Sequence, residues 1–223
     1  MERRLNFSLD EHYHIYNRGV DRRQIFMDEG DYLRFMVLLY LSNNSEGVHF
    51  GEYRKRGLLI TDLFEEDRGE PLVAIGAYCL MPNHFHLLIR EIKEGGISLF
   101  VKKLLTGYSM YFNKKYERTG PLFESRFKAE HVNNDGYMQY LLAYIHLNPV
   151  KIKDPESWSG KRVQSPDTVK QYLKDYRYSS YPVYIGYKRE ESVILNRSVF
   201  PDYFSNPGDF EAYLSDWINF NSE

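Results

Sequence analysis

The 223-residue chain contains a single cysteine, Cys79, and therefore cannot form an internal disulfide bond. It also has no apolar run approaching the roughly 20 residues that span a bilayer, which argues against a membrane protein. The first six residues, MERRLN, lack the apolar stretch of a secretory signal peptide. These absences predict a protein of a reducing compartment, with the cytoplasm as the expected location.

An excess of positive charge is missing as well. The chain has 29 Lys and Arg against 31 Asp and Glu, a formal net charge of −2, which at first argues against a nucleic-acid partner. The charges are unevenly distributed, however. Residues 99–131 hold seven Lys and Arg against three Glu, whereas residues 202–223 hold five acids and no base. A locally basic face can bind phosphates while the whole chain stays near neutral.

The pattern of apolar residues predicts alternating strands and helices. Strands are expected at residues 12–16, 72–81, 84–92 and 122–132, with Pro82-Asn83 as a turn between the second and third. Helices are expected at residues 28–41, 97–116 and 136–147, with shorter ones near 168–175 and 210–219. Asp28 or Asp31 can cap the first helix, and Asn134-Asp135 the third. This order predicts an α+β fold, a ferredoxin-like sandwich with a central antiparallel sheet and helices packed on it.

The domain organisation follows from the same pattern. At this length, with 43% hydrophobic residues, the chain can bury one core and carry an extension. We predict a catalytic domain over residues 1–155 and a C-terminal extension over residues 156–223. Residues 43–70 are polar and irregular, and are interpreted as an insertion or a long connection that could hold a small strand pair. Residues 151–164 are expected to form a loop.

Two histidines stand out in the predicted third strand. Because side chains alternate along a strand, His84 and His86 project from the same face, while Phe85 points to the other. Two imidazoles side by side on a rigid strand supply half of a metal site. The alternative, which this spacing alone favours, is a pair of half-exposed histidines on a sheet surface.

A tyrosine and an asparagine share one face of the predicted third helix. Tyr144 and Asn148 are four residues apart, one helical turn, and Tyr137 and Leu141 lie on the same side. On spacing alone, an aromatic stripe that packs the helix on the sheet is the better interpretation. His146 points away from Tyr144 and is expected to be structural or exposed.

Several ordered motifs resemble those of the single-tyrosine HUH transposases, the insertion-sequence-200-like enzymes with the REP-associated tyrosine transposases as a branch. "HUH" denotes histidine, hydrophobe, histidine, and YCLMPNHFHLLI at residues 78–89 resembles the metal strand of that family. The resemblance continues at YHIYNRG (13–19), YFN (111–113), GPLFESRFK (120–128), YIHLNPVK (144–151) and YSSY (178–181). It does not include residues 43–70 or most of the chain after Lys188.

The resemblance implies a function for the two pairs of residues. His84, His86 and Asn148 would be ligands of a divalent metal, Mg²⁺ or Mn²⁺, and Tyr144 would be the nucleophile. The family cleaves and rejoins single-stranded DNA, often near hairpins, through a 5′-phosphotyrosine link that frees a 3′-hydroxyl. Some relatives act as homodimers with the tyrosine helix contributed in trans, and REP-associated ones as monomers; both arrangements stay open.

Cations near the motifs are candidate phosphate contacts, although each is equally well explained as a surface charge. These candidates for DNA binding are Arg18, Arg22, Arg126 and Lys128. Two other functions also stay open. One is a metal-dependent nuclease that uses water as the nucleophile, and the other is a non-catalytic nucleic-acid-binding domain of the same fold.

Overall fold

The computed structural model describes residues 6–153 and 166–220 of the chain. Its centre is a four-stranded antiparallel sheet in the order β2-β3-β1-β4. The strands are β1 (His12–Arg18), β2 (Val73–Met81), β3 (His84–Glu91) and β4 (Lys128–His131). The predicted α+β fold, an antiparallel sheet with helices packed on it, is confirmed.

Helices cover both faces of this sheet. They are α1 (Glu29–Leu41), α2 (Phe50–Lys55), α3 (Gly96–Lys115), α4 (Asp135–Leu147), α5 (Val150–Lys153), α6 (Pro166–Asp175), α7 (Tyr181–Tyr184) and α8 (Pro207–Phe220). None of them, within the described ranges, is long and apolar enough to cross a membrane. The side chains of Asp28 and Asn134 cap α1 and α4 by accepting hydrogen bonds from backbone N–H groups, as their sequence positions predicted.

Two apolar cores form, one on each face of the sheet. The helices α1 and α3 pack on one face, against side chains that include Ile15, Phe85 and Leu87. The helices α4, α6, α7 and α8 enclose the second core, which includes Cys79 and Leu88. The helices α6, α7 and α8 of the predicted C-terminal extension therefore pack on the same face as α4, whereas its Ile194 joins the first core.

Three expectations need correction. Residues 43–70 contain no strand; they form α2 and a short 3₁₀ turn at Asp62–Phe64. Of residues 122–132, only Lys128–His131 is a strand; before it, the chain meets the end of β1 through an isolated bridge between Gly19 and Phe123 and through the Asn17 side chain, which donates to the carbonyl of Ser125 at 3.1 Å. The expected loop at 151–164 begins with the end of α5, and its remainder, from 154, lies outside the described residues.

Candidate active site and metal centre

The two histidines of β3 project toward α4. Their imidazole rings lie 5.0 Å apart and nearly perpendicular, at 88°. His86 is 5% exposed, and His84 is partly buried with its Nδ1 2.6 Å from the side-chain oxygen of Asn83. The expected shared face is therefore present, but it is an enclosed face and not an open sheet surface.

The helix α4 brings Tyr144 to this pair. The Tyr144 ring meets the His86 ring edge to face, with centroids 5.2 Å apart. Asn148 caps the C-terminal end of α4 and donates from Nδ2 to the Tyr144 carbonyl at 2.7 Å. The strand pair and the helix pair predicted from the sequence thus meet within one chain.

A third histidine, His14 of β1, holds the ring of His86. The two rings are stacked, and His14 Nε2 lies 2.9 Å from His86 Nδ1. The other nitrogen of His86, Nε2, is buried and has no hydrogen-bond partner among the described residues. Since buried polar atoms are nearly always paired, this nitrogen is the atom of the site best suited to bind a ligand.

A carboxylate stands behind His14. Glu130 of β4 approaches His14 Nδ1 at 3.9 Å and accepts hydrogen bonds from the hydroxyls of Tyr16 and Tyr137, at 2.8 and 2.7 Å. A carboxylate next to one imidazole, which in turn contacts a second, orients the proton on each ring. The series of contacts from Glu130 through His14 to His86 favours the form of His86 that carries its proton on Nδ1 and leaves Nε2 as an acceptor.

A lysine approaches the same site from α5. The Lys151 ammonium donates to Asn148 Oδ1 at 3.2 Å and lies 4.6 Å above the Tyr144 ring. Burial lowers the pKa of Lys151. The ammonium places a positive charge close to the Tyr144 ring and to the Asn148 amide, the two residues that the sequence motif pairs.

Burial controls the protonation of the site. It lowers the pKa of His84 and of His14 to about 4, and that of His86 well below its usual value, where the neighbouring histidines and Lys151 add to the effect. All three imidazoles are therefore neutral at neutral pH, the form that binds metals. Burial also raises the pKa of Tyr144, an effect that the nearby Asn148 side chain partly offsets.

The donor set suits a divalent cation only in part. No three His, Cys, Asp or Glu side chains converge as a metal cluster in residues 6–153 and 166–220. The site offers two neutral imidazoles and the amide oxygen of Asn148 as metal ligands. Among these, His86 Nε2 is the buried ligand atom that has no hydrogen-bond partner within the described residues. Such a set fits an incompletely enclosed ion that keeps open positions for substrate and water.

A sequence model described as "Transposase IS200 like" matches residues 9–148, more than half of the chain. The chain belongs to the IS200-like transposase family. The matched range includes β1, β3, α4 and Asn148, so it covers the whole site apart from Lys151. The predicted membership of this family is therefore confirmed.

Solved structures show weaker likenesses. A REP-associated tyrosine transposase bound to a REP hairpin is 14% identical over 91% of this chain and 95% of that one, with a TM-score of 0.48. A proposed transposase of Deinococcus radiodurans R1 is 16% identical over 65% of this chain and 95% of that one, with a TM-score of 0.34. A search of curated proteins finds no match. Membership of the transposase family therefore rests on the sequence match.

The predicted phosphate contacts of this transposase-family chain occupy different places. Arg18 pairs with β3 opposite His84 and is bound to Glu124 at 2.6 Å, and Lys128 lies 6.0 Å from the Tyr16 ring on the site face. Arg22 lies in a 3₁₀ turn whose carbonyl accepts a hydrogen bond from the Asn83 side chain. Arg126 is exposed and makes no side-chain contact with described site residues. Their role in DNA binding stays a prediction.

Sequence reasoning assigned no role to His14, Glu130 or Lys151. One signal for His14 was present: in the first strand His14 and Tyr16 alternate with Tyr13 and Ile15, so they share a face as His84 and His86 do. Nothing in the local sequence indicates that Glu130 lies behind His14. That contact depends on the pairing of β1 with β4.

Proposed function

We propose that this transposase-family chain cleaves and rejoins single-stranded DNA, with Tyr144 as the nucleophile and a divalent metal held by His84, His86 and Asn148. The observation that carries the proposal is the 5.2 Å approach of the Tyr144 ring to His86, whose Nε2 has no partner among the described residues. Because the tyrosine and the histidines belong to one chain, the arrangement supports action in cis. It is compatible with a monomer.

In the proposed reaction the Tyr144 hydroxyl oxygen attacks the phosphorus of a phosphodiester. The bond from phosphorus to the 3′-oxygen breaks, a tyrosyl bond to the 5′-phosphate forms, and the proton lost by the tyrosine is balanced by the one gained by the 3′-hydroxyl. The covalent link keeps a phosphodiester, so the reverse attack rejoins the strand without ATP.

The nucleophile needs assistance, because a tyrosine of ordinary pKa near 10 is only about one-thousandth ionised at pH 7 and burial raises the pKa of Tyr144 further. A bound Mg²⁺ or Mn²⁺ would draw charge from the non-bridging phosphate oxygens and position the phosphorus for in-line attack. Lys151, 4.6 Å above the Tyr144 ring, supplies a second positive charge that favours both the phosphate and the developing tyrosinate.

A labelled single strand that contains a hairpin tests the nucleophile. With Mn²⁺, the wild-type chain should form a covalent adduct that survives denaturing gel electrophoresis, and Tyr144→Phe should reduce it at least about 10³-fold. Tyr140→Phe is the matched control, since Tyr140 is exposed and stacks on Tyr144 from the same helix. Mixing Tyr144→Phe with His86→Ala should restore no adduct if the tyrosine acts in cis.

Other outcomes separate the alternative functions. If Tyr144→Phe still forms the adduct, another residue is the nucleophile. Cleavage with no adduct in either protein would indicate a nuclease that uses water. Binding of the strand with no cleavage in Mn²⁺ would indicate a non-catalytic DNA-binding domain.

A further inference from the structure

The insertion at residues 43–70 builds a groove on the side of the molecule away from Tyr144. The insertion packs against α1 and α3, the helices that cover the opposite face of the sheet. The groove between the insertion and these two helices has a volume of about 1090 Å³. One contact that holds it is Lys103 of α3, whose ammonium donates to the side chain of Asn44 at 2.9 Å. The groove therefore exists because of a segment that the family motifs do not contain.

The charged side chains that line this groove are all positive. They are Arg34, Arg54, Lys102, Lys103, Lys114 and Lys115, and no Asp or Glu accompanies them in the lining. Within the described residues, Lys115 alone among these six has carboxylate partners, Asp28 and Asp31. In a chain of formal net charge −2, a lining with six cations, five of them in no ion pair within the described residues, concentrates positive charge locally.

One arginine in the groove has unused hydrogen-bonding capacity. The Arg34 guanidinium stacks 3.2 Å above the Phe50 ring and 5.0 Å from that of Tyr111. Its Nε is buried and unpaired among the described residues. Burial lowers the pKa of Arg34 to about 10, so the group remains charged at neutral pH. The stacked guanidinium therefore adds a fixed positive charge to the groove lining.

The exposed edge of α3 gives the groove its direction. Lys102, Thr106, Met110 and Lys114 follow each other at one-turn intervals. The 12 residues from the first lysine to the second rise about 18 Å, the length of about five stacked nucleotides of one strand. Met110, between the two lysines in sequence, is 69% exposed, and Phe50 and Tyr53 also line the groove.

We propose that this groove binds a single-stranded segment of the DNA substrate. The phosphates would lie along Lys102 and Lys114, and the bases on the aromatic floor formed by Phe50 and Tyr53 and on Met110. The proposal rests on the proposed function and extends it, because the groove would hold DNA away from the strand being cut. Unstacked bases have apolar faces that aromatic side chains and Met can cover, and phosphates match the cations.

The lining favours a single strand over other anions. A duplex hides its base faces and would leave Met110 and the aromatic floor uncovered. An acidic peptide brings backbone N–H donors as well as charge, and a lining with no carboxylate offers such donors few acceptors. A nucleic-acid backbone presents only acceptors to these cations.

A charge reversal tests the groove without using the catalytic site. The variant Lys102→Glu/Lys114→Glu changes two exposed side chains with no ion pair among the described residues. Lys93→Glu/Lys188→Glu is the matched control, with the same charge change at exposed positions outside the groove. Anisotropy of a labelled 20-nucleotide oligo-dT in EDTA reports binding, and circular dichroism checks that each variant is folded.

We expect the groove variant to bind oligo-dT at least tenfold more weakly than the wild type. Its binding should also depend less on salt: the negative slope of log K against log salt should become shallower by about 1.4, the value for two phosphate contacts on a single strand. The control should change the affinity less than threefold. A 20-base-pair duplex should bind more weakly and respond equally to both variants.

Three results would overturn the groove assignment: equal losses in both variants, a duplex that loses as much as oligo-dT, or displacement of oligo-dT by poly-glutamate as readily as by unlabelled oligo-dT. Because these measurements need neither metal nor Tyr144, they stand whether or not the adduct forms. Conversely, an adduct formed at the wild-type rate by the groove variant on a short hairpin substrate would leave the proposed chemistry intact.

Discussion

The two faces of the sheet differ in what neighbouring residues of the same strands bury. Toward α1 and α3, the strands β1 and β3 present apolar side chains, among them Ile15, Phe85 and Leu87. Toward α4 they present His14, Tyr16, His84 and His86. Two adjacent residues of β3 therefore lie in different surroundings. Phe85 is part of a closely packed core, whereas His86 belongs to a site and has an unpaired buried nitrogen.

This difference separates a face of the sheet whose core holds apolar side chains of β1 and β3 from a face that holds the candidate site beside the second core. Close-packed apolar residues contribute stability through burial and dispersion. Buried polar atoms without partners cost free energy, and they are retained where a ligand or reaction uses them. The groove of the insertion is lined in part by α1 and α3, the helices that cover the apolar face of the sheet. That face therefore supports these helices but supplies none of the charged side chains of the groove.

The largest expected effect comes from breaking the packed face. Phe85 is fully buried and packs against Phe35 with ring centroids 5.1 Å apart. Phe85→Ala should lower the free energy of unfolding by about 3–5 kcal/mol, through lost burial and a cavity. Urea denaturation measures this loss, and titration with Mn²⁺ below the unfolding transition should show metal binding that is little changed.

The adjacent residue provides the matched comparison. His86→Phe keeps a ring of similar volume and removes the unpaired nitrogen, while it loses the hydrogen bond with His14. Its free energy of unfolding should fall by about 1–3 kcal/mol, because the buried His14 Nε2 loses its partner, whereas Mn²⁺ binding should disappear. The contrast between the two faces fails if His86→Phe is destabilised as much as Phe85→Ala.

A second prediction sharpens the role of the polar face. His14→Gln preserves a hydrogen-bonding side chain but not the imidazole that links Glu130 to His86. Loss of a group that orients a ligand histidine typically weakens metal binding about 10–100-fold. Calorimetric titration with Mn²⁺ measures this directly, with no need for DNA or turnover.

His12→Gln serves as the control for that experiment. His12 lies on the same strand and contacts Phe200 instead of the site, with ring centroids 5.1 Å apart. If both variants bind Mn²⁺ equally well, or if His14→Gln binds as the wild type does, His14 does not position His86 and the contact is structural only.

Local patterns were sufficient for much of the fold. The helices α1, α3 and α4 begin and end within a few residues of their predicted limits, because apolar periodicity and capping residues such as Asp28 and Asn134 act over a single turn. The same holds for the shared direction of His84 and His86, which follows from the period of a strand. Their metal-binding role stays a prediction that the family resemblance supplied.

Contacts between distant segments could not be predicted in this way. His14 and His86 are 72 positions apart, and their contact depends on the register between β1 and β3. The burial of His146 has the same origin: its ring is enclosed by Tyr184 and Phe210, which come from α7 and α8. The groove likewise depends on how the insertion packs on α3, for which no short motif exists.

The smallest expected effect concerns the pH dependence of stability on the α4 face. His146 is fully buried, with Nδ1 2.8 Å from the Leu142 carbonyl and Nε2 2.7 Å from the Ser180 hydroxyl, and burial lowers its pKa to about 3. An unfolded histidine titrates near 6.5, so between these values the unfolded chain binds a proton that the folded one does not. The contribution is therefore complete above pH 6.5 and declines as the pH falls, by at most about 1.4 kcal/mol per pH unit. Urea denaturation at pH 7.5, 6.5 and 5.5 should give a shallower decline for His146→Gln than for the wild type; parallel curves would show that His146 is already protonated in the folded chain.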